Sequence, residues 1–264
     1  MRPRKVFLDT DGDTVADKEG VWRMGDIIYS TPAVVSRPLE NYDDIYSDPS
    51  YGEFETKYAR GSGDALKPRP TAIYVGANDG MLHAFNAGCY LAGDDRDTAR
   101  REHGRYTEDY PPYFSAELGH NPEIGEALWA YIPSSLLPHL RWLTDMNYTH
   151  VYYVDLKSKI VDVRIFPEDA THPGGWGTVL IGGLNFGGGT YEVDDFNQDG
   201  VSDDPRVFSS CYFALDITNP GAPELLWEFS YPTHLGFTTA YPAVARTGKE
   251  DEKGAWHVIL GSGP

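Results

Sequence analysis

Residues 71–86 read TAIYVGANDGMLHAFN, and this stretch decides the fold. Two β-prone runs, 71–76 and 81–86, flank Asn78-Asp79-Gly80. These three residues tolerate the positive φ angles that a tight hairpin requires. The stretch therefore predicts two antiparallel strands joined by a short turn.

Two patterns around this hairpin occur twice in the chain. The segment 30–37, STPAVVSR, is echoed by 240–246, AYPAVAR, and a β-prone run follows each copy. The run 81–86 with the later Leu128-Trp129 is matched by 212–217 with Leu226-Trp227, and 177–183 indicates another inner strand. Short strands recurring in groups of four are typical of β-propeller blades.

The composition agrees with this class. The 264 residues include 28 Gly and 19 Pro without a short period, which favours many turns and short strands. We expect an all-β fold, a partial β-propeller of quinoprotein-like, modified blades with long loop insertions. The chain holds two to three blade-like groups, whereas a closed ring needs about four to eight. Residues 1–264 are thus expected to form a single incomplete propeller domain, a fragment of a longer protein.

Two stretches interrupt the strand pattern, at 39–69 and at 88–124. Insertions of this length in a β scaffold are usually surface loops, and both are predicted to be so. The only plausible helix spans Ser134 to Met146, with Ser134 or Ser135 as its cap and Pro138 limiting where it begins.

The chain is acidic, with 22 Lys and Arg against 40 Asp and Glu, a formal net charge of −18 and a pI near 4.7. This charge disfavours nucleic acid as a partner and favours cations. No apolar stretch approaches the roughly 20 residues of a transmembrane helix, and the basic start, residues 1–5, is not followed by the apolar segment of a signal peptide. Cys89 and Cys211 permit a disulfide without requiring one.

An acidic loop at 195–203 carries the clearest chemical signal. Its oxygen-bearing side chains occupy loop positions 1, 3, 5 and 9, with glycine at position 6 and the Val201 carbonyl at position 7. A tight loop wraps a hard cation with this spacing. It is not a full EF-hand, because position 12 is Arg206. The predicted ligands are Asp195, Asn197, Asp199, Val201 and Asp203. The alternative is a solvated turn without metal.

A second acidic loop, at 9–17, shares the carboxylate spacing but has its glycine at position 4. Its candidate ligands are Asp9, Asp11, Asp13 and Asp17. Metal binding and a frayed acidic tail both remain open here. Calcium is the expected cation in both loops, since zinc would favour His or Cys ligands.

Motifs of catalysis are absent from the sequence. It contains no H-E-x-x-H, G-x-S-x-G or P-loop, and its eight His are scattered singly. The glycine-rich 182–189 is followed by an acidic segment and predicts a β-turn or bulge. We therefore predict no catalytic residues.

Three segments resemble the PilY family of type IV pilus biogenesis factors and pilus-tip adhesins, in its C-terminal calcium-binding β-propeller region. They are Gly25–Pro32, Tyr74–Phe85 and Trp129–Pro133, and the 195–203 loop falls where that family carries its calcium loop.

The resemblance implies a non-enzymatic protein at the cell surface, on the pilus tip or outer membrane, after export through the periplasm. It implies minor pilins and the type IV pilus machinery as partners, with a host or abiotic surface as a further target. It also implies roles in adhesion and twitching motility, with calcium biasing pilus extension against retraction. Two alternatives remain open: a quinoprotein-like dehydrogenase, and a structural propeller whose Tyr-rich 39–69 insertion binds a glycan or protein.

Overall fold

The computed structural model of the chain describes residues 4–8, 18–22, 24–60, 69–91, 105–107, 114, 118–194, 200–248 and 254–264. This part of the chain is mostly β. Its strands are β1 (Arg4–Leu8), β2 (Lys18–Trp22), β3 (Ala33–Val35), β4 (Ala72–Gly76), β5 (Leu82–Asn86), β6 (Cys89–Leu91), β7 (Arg105–Thr107), β8 (Ala127–Tyr131), β9 (Lys159–Arg164), β10 (Trp176–Gly183), β11 (Tyr191–Val193), β12 (Arg206–Phe208), β13 (Tyr212–Asp216), β14 (Glu224–Phe229), β15 (Ala243–Thr247) and β16 (Ala255–Ile259). The helices are α1 (Tyr42–Ile45), α2 (Pro49–Arg60) and the 3₁₀ helices Ser134–Thr144 and Pro173–Gly175.

Two four-stranded antiparallel sheets form the blades that the sequence predicts. The first has the order β3-β4-β5-β8, and the second has the order β9-β10-β13-β14. A third group begins with the antiparallel pair β15-β16. The expected inner strand at 177–183 is confirmed as β10, which is buried along its whole length.

The repeated Leu-Trp pair marks the same irregularity in both blades. Between β5 and β8, Trp129 lies opposite an alanine and the register skips Leu128. Between β13 and β14, Trp227 lies opposite an alanine and the register skips Leu226. A bulge of this kind bends a strand and increases its twist. The sequence repeat is therefore a structural repeat.

The two blades share one hydrophobic core. Tyr74 and Leu82 of the first blade and Leu180 and Phe213 of the second are fully buried in a single cluster. Burial of side chains of this size contributes about 1.5–3 kcal/mol each. The blades therefore pack against each other rather than standing as separate sheets.

The turn predicted at 78–80 joins β4 to β5, with Gly80 at φ 90°. Asp79 is buried in this turn, where its carboxylate accepts hydrogen bonds from the Gly25 N–H at 2.9 Å and from His83 Nε2 at 2.9 Å. Burial alone would raise the pKa of Asp79, but these hydrogen bonds outweigh it and lower that pKa below its usual value. The turn thus ties the segment before β3 to the first blade.

The prediction that 39–69 is a surface loop was wrong. Its described part forms α1 and α2, and Tyr51, Phe54 and Tyr58 are buried against Trp176 of β10. Their spacing of three and four residues places them on one face of α2. The prediction that 134–146 is the only helix was therefore also wrong. The acidic residues between these aromatics make the helical spacing hard to recognise in the sequence.

The helix expected at 134–146 is a 3₁₀ helix that ends at Thr144 and contains Pro138. Its N-cap is Pro133, without a side-chain cap, so neither serine has the predicted capping role. Proline removes one backbone donor and disfavours the regular α-helix.

The second insertion, 88–124, lies mostly outside the described residues. Its described strands β6 and β7 pair as a hairpin between β5 and β8. Cys89 and Cys211 are both buried, and they do not form the disulfide that the sequence permits. Among the helices described, none is long and apolar enough to cross a membrane.

Candidate functional site

The acidic loop at 195–203 belongs to the connection of a hairpin that is inserted between β10 and β13 of the second blade. The stem of this hairpin consists of β11 and β12, which pair Tyr191 with Phe208 and Val193 with Arg206. A paired register holds opposite backbones about 5 Å apart. The stem therefore brings the two ends of the loop together, as a cation-wrapping loop requires.

Three of the five predicted ligands, Asp195, Asn197 and Asp199, lie outside the described residues. The structure does describe Gly200 at position 6, with φ 86° and no atom of the described residues within 4 Å of where a Cβ would be. This left-handed conformation is the one that glycine adopts at little cost. It matches the sharp bend that the spacing predicts at this position.

The remaining two predicted ligands follow this bend. Val201 and Asp203 are exposed, and the Asp203 N–H donates to the Val201 carbonyl at 3.0 Å. The turn brings positions 7 and 9 of the loop close together. Carboxylate, amide and carbonyl oxygens are the donor set that suits calcium.

The stem is fixed to the 3₁₀ helix Ser134–Thr144 by two side chains of that helix. His139 Nε2 donates to the Gly189 carbonyl at 2.8 Å. The guanidinium carbon of Arg141 lies 4.8 Å from the centre of the Tyr191 ring, a cation–π contact. The loop is therefore supported by a segment that is distant in the sequence.

His139 is 1% exposed, and its burial lowers its pKa despite the hydrogen bond to Gly189. The imidazole is thus neutral near pH 7, and Nε2 carries the proton that it donates. The sequence, in which the eight His are scattered singly, carries no signal for this anchoring role. Only the fold brings His139 to a carbonyl 50 positions away.

The glycine-rich segment 182–189 begins in β10, which ends at Gly183, and then forms the turn that the sequence predicts. The Gly187 N–H donates to the Leu184 carbonyl at 2.8 Å, and Gly188 has φ 71°. A Cβ on Gly187 would lie 2.2 Å from the Tyr153 carbonyl oxygen, so only glycine fits this close approach.

The second candidate loop also closes a hairpin. β1 pairs with β2, and Leu8 lies opposite Lys18, so 9–17 connects the two strands. Its candidate ligands, Asp9, Asp11, Asp13 and Asp17, lie outside the described residues. In the described ranges as a whole, no group of three or more His, Cys, Asp or Glu side chains is placed to hold a metal ion.

Comparisons with known proteins identify the family. A family model described as the PilY1 beta-propeller domain matches residues 24–264. The chain is 30% identical over 254 residues to the type IV pilus biogenesis factor PilY1 of Pseudomonas aeruginosa strain UCBPP-PA14, covering 91% of this chain and 15% of that protein. It is 29% identical over 249 residues to a PilY1 homolog of Xylella fastidiosa strain Temecula1, and this match covers 91% of this chain and 14% of that protein.

Among solved structures, the crystal structure of the Pseudomonas aeruginosa PilY1 C-terminal domain has 26% sequence identity to the chain and a TM-score of 0.43. The match covers 86% of this chain and 31% of that one. The chain spans about 15% of the length of the first curated relative. On the family match across 24–264, this chain belongs to the PilY1 β-propeller family.

Proposed function

We propose that this chain is the calcium-binding propeller region of a type IV pilus assembly and surface adhesion protein. The relatives named above are type IV pilus biogenesis factors. The proposed role is non-enzymatic, with minor pilins and the pilus machinery as partners, at the pilus tip or outer membrane after export through the periplasm. It includes attachment to a host or abiotic surface and twitching motility.

The observation that supports calcium binding most directly is the agreement between spacing and backbone in the 195–203 loop. Gly200 is left-handed at the position where the ligand spacing needs a bend, and the β11–β12 stem closes the loop. The sequence of the loop contains three carboxylates, which a closed loop would bring together. Two carboxylates about 4 Å apart repel by roughly 4 kcal/mol at an effective dielectric of 20. A bound divalent cation would remove this repulsion.

Calcium would regulate the protein through the order of the 195–203 loop on its β11–β12 stem. Calcium occupancy would order the loop on its stem, and His139 and Arg141 hold that stem to the 3₁₀ helix. A partner that contacts this surface would then bind the ordered loop more tightly than the unordered one. We propose that this difference biases pilus extension against retraction.

Calcium titration calorimetry on the chelator-treated chain tests the site. We expect Asp199→Ala to weaken binding by roughly 100-fold or more, because changes outside the first ligand shell alone typically cost 10–100-fold. Asp194→Ala is the matched control, since it removes a neighbouring carboxylate outside the ligand pattern. Wild-type affinity in Asp199→Ala, with a wild-type thermal melt, would contradict the assignment of this loop.

The same titration addresses the loop at 9–17. We propose that it is a second calcium site, because it also closes a hairpin and has the same carboxylate spacing. Two sites per chain, with one lost in Asp11→Ala, would support this proposal. A single site that Asp11→Ala leaves unchanged would identify 9–17 as a solvated acidic loop.

A further inference from the structure

A cleft lies where the 3₁₀ helix Ser134–Thr144 ends and the chain turns toward β9. It has a volume of about 270 Å³. Its lining residues are Trp142, Asp145, Asn147, Tyr148, Thr149 and Val151. None of these residues belongs to either acidic loop.

The aromatic walls of the cleft are held in place by packing and hydrogen bonds. The Trp142 ring meets the His139 ring edge to face, with centroids 4.8 Å apart and planes at 86°. The Tyr148 hydroxyl accepts a hydrogen bond from the Val151 N–H at 3.1 Å. A wall fixed before binding reduces the entropy that a ligand must overcome.

A tight turn presents the polar groups of the cleft. The Asp145 Oδ1 accepts from the Asn147 N–H at 2.8 Å, and the Tyr148 N–H donates to the Asp145 carbonyl at 3.0 Å. Within the described residues, Asp145 Oδ2, the Asn147 side-chain amide and the Thr149 hydroxyl make no hydrogen bond to the protein. One acceptor, one amide and one hydroxyl are thus available beside two aromatic rings.

We propose that this cleft binds a neutral sugar ring. A sugar presents an apolar C–H face, which stacks on an aromatic side chain, and neighbouring hydroxyls, which both donate and accept hydrogen bonds. Oδ2 of Asp145 can accept from a sugar hydroxyl, whereas the Asn147 amide can donate to one hydroxyl and accept from another. The volume lies just below the 300–1,000 Å³ of ordinary ligand sites, which suits one ring.

The charge of the site selects among sugars. The Asp145 carboxylate and the net charge of −18 oppose an anionic sugar such as a sialic acid. Polar groups of Asp145, Asn147 and Thr149 lie along the lining of the cleft, so it does not fit an acyl chain. The expected ligand is therefore the terminal neutral ring of a glycan or polysaccharide. This inference does not depend on calcium binding.

The test is a nuclear magnetic resonance titration of the full ¹⁵N-labelled chain with free glucose, galactose, mannose and N-acetylglucosamine. N-acetylneuraminic acid and glucosamine serve as the anionic and cationic comparison sugars. The Trp142 indole N–H signal, assigned by its loss in Trp142→Phe, reports on the cleft. We expect a saturable shift with at least one neutral sugar in the millimolar range, as is usual for a single ring.

Variants make the assignment specific. Asn147→Ala should weaken the binding at least about 5-fold, because it removes both amide hydrogen bonds to the sugar. Its side chain makes no hydrogen bond to the described part of the protein, so the fold should be retained. Asn121→Ala, an exposed asparagine that does not line the cleft, is the matched control and should bind as wild type.

Three outcomes would overturn the proposal. The first is no saturable shift up to about 100 mM of any neutral sugar. The second is a shift that Asn147→Ala leaves unchanged, which would place the ligand elsewhere. The third is binding of glucosamine alone, which would identify a simple carboxylate site for amines.

Discussion

The hydroxyl of Tyr51 connects the 39–69 insertion to the second blade, and its removal should measure what that connection contributes to stability. Tyr51 is fully buried, and its hydroxyl donates to the Asp162 carboxylate at 2.8 Å and accepts from the Glu40 N–H at 3.0 Å. Burial and the Asp162 carboxylate raise the pKa of Tyr51 well above its usual value, so the hydroxyl remains a donor at any pH of interest.

The expected loss of unfolding free energy follows from these contacts. Tyr51→Phe keeps the ring in the aromatic cluster and removes only the oxygen. A hydrogen bond to a charged group contributes about 1.5–3 kcal/mol. Asp162 keeps its bond from the Thr178 hydroxyl at 2.6 Å, so we expect a loss of about 2 kcal/mol. At roughly 2–4 °C per kcal/mol for a domain of this size, the melting temperature should fall by about 4–8 °C.

Urea unfolding and a thermal melt of both proteins measure this loss. Tyr46→Phe is the matched control, because Tyr46 contacts Trp256 and Arg246 through its ring. It should change the free energy of unfolding by less than about 0.5 kcal/mol. Equal melting temperatures for the two variants would refute the reasoning, since the Tyr51 hydroxyl would then contribute no more than an ordinary half-buried one.

Two further substitutions test the first blade. Gly76→Ala should destabilise the chain by about 1–3 kcal/mol, because its Cβ would lie 2.3 Å from the Val154 carbonyl oxygen. Gly52→Ala in α2 is the control: its Cβ would have no described atom within 4 Å, so the variant should be neutral or more stable by up to about 1 kcal/mol. Thermal melts of the two alanine variants check this contrast, and equal shifts would contradict it. Asp79→Asn should cost about 1–3 kcal/mol at pH 7, measured by urea unfolding. Because the pKa of Asp79 is lowered in the folded state, its contribution is present above the unfolded value near 3.9 and is lost as the pH falls toward the folded one. The difference between Asp79→Asn and wild type should therefore shrink between pH 5 and pH 2, and a constant difference would contradict the assignment.

The blades could be predicted from the sequence because their signal is local and repeated. The Asn78-Asp79-Gly80 turn fixes one hairpin, and the two Leu-Trp pairs recur at the same place in successive sheets. Each pattern depends on residues that are neighbours in the chain or in a ladder. The structural meaning of the Leu-Trp repeat is a bulge that skips one leucine. This bulge is visible only in the register of the strands, so it could not be deduced from the repeat alone.

The helices of the insertion were missed because two patterns overlap there. Tyr51, Phe54 and Tyr58 follow a helical period, but charged residues between them make the stretch look like a solvated loop. Their burial depends on Trp176, more than a hundred residues away in the sequence. Helix propensity alone does not predict such a helix, because most of its stability comes from packing its apolar face against another part of the fold.

The candidate site also has local features that the sequence predicts and long-range contacts that it does not. Ligand spacing and the glycine at position 6 are local features, and Gly200 has the conformation that they predict. The anchoring of the stem by His139 and Arg141 is a long-range property, since their partners Gly189 and Tyr191 lie some fifty residues further along the chain. A single histidine in a sequence does not predict such a contact.

The placement of the insertions determines how loop variants can be interpreted. The acidic loop lies between the second and third strands of its blade, on a separate two-stranded stem, whereas each blade is held by its own ladder and bulge. Because the blade strands pair without the stem, Asp199→Ala removes no ladder hydrogen bond and should leave blade stability unchanged. Calcium binding lost without a change in the thermal melt therefore reports on the loop itself. A fall in both would instead show that the loop contributes to the folding of its blade.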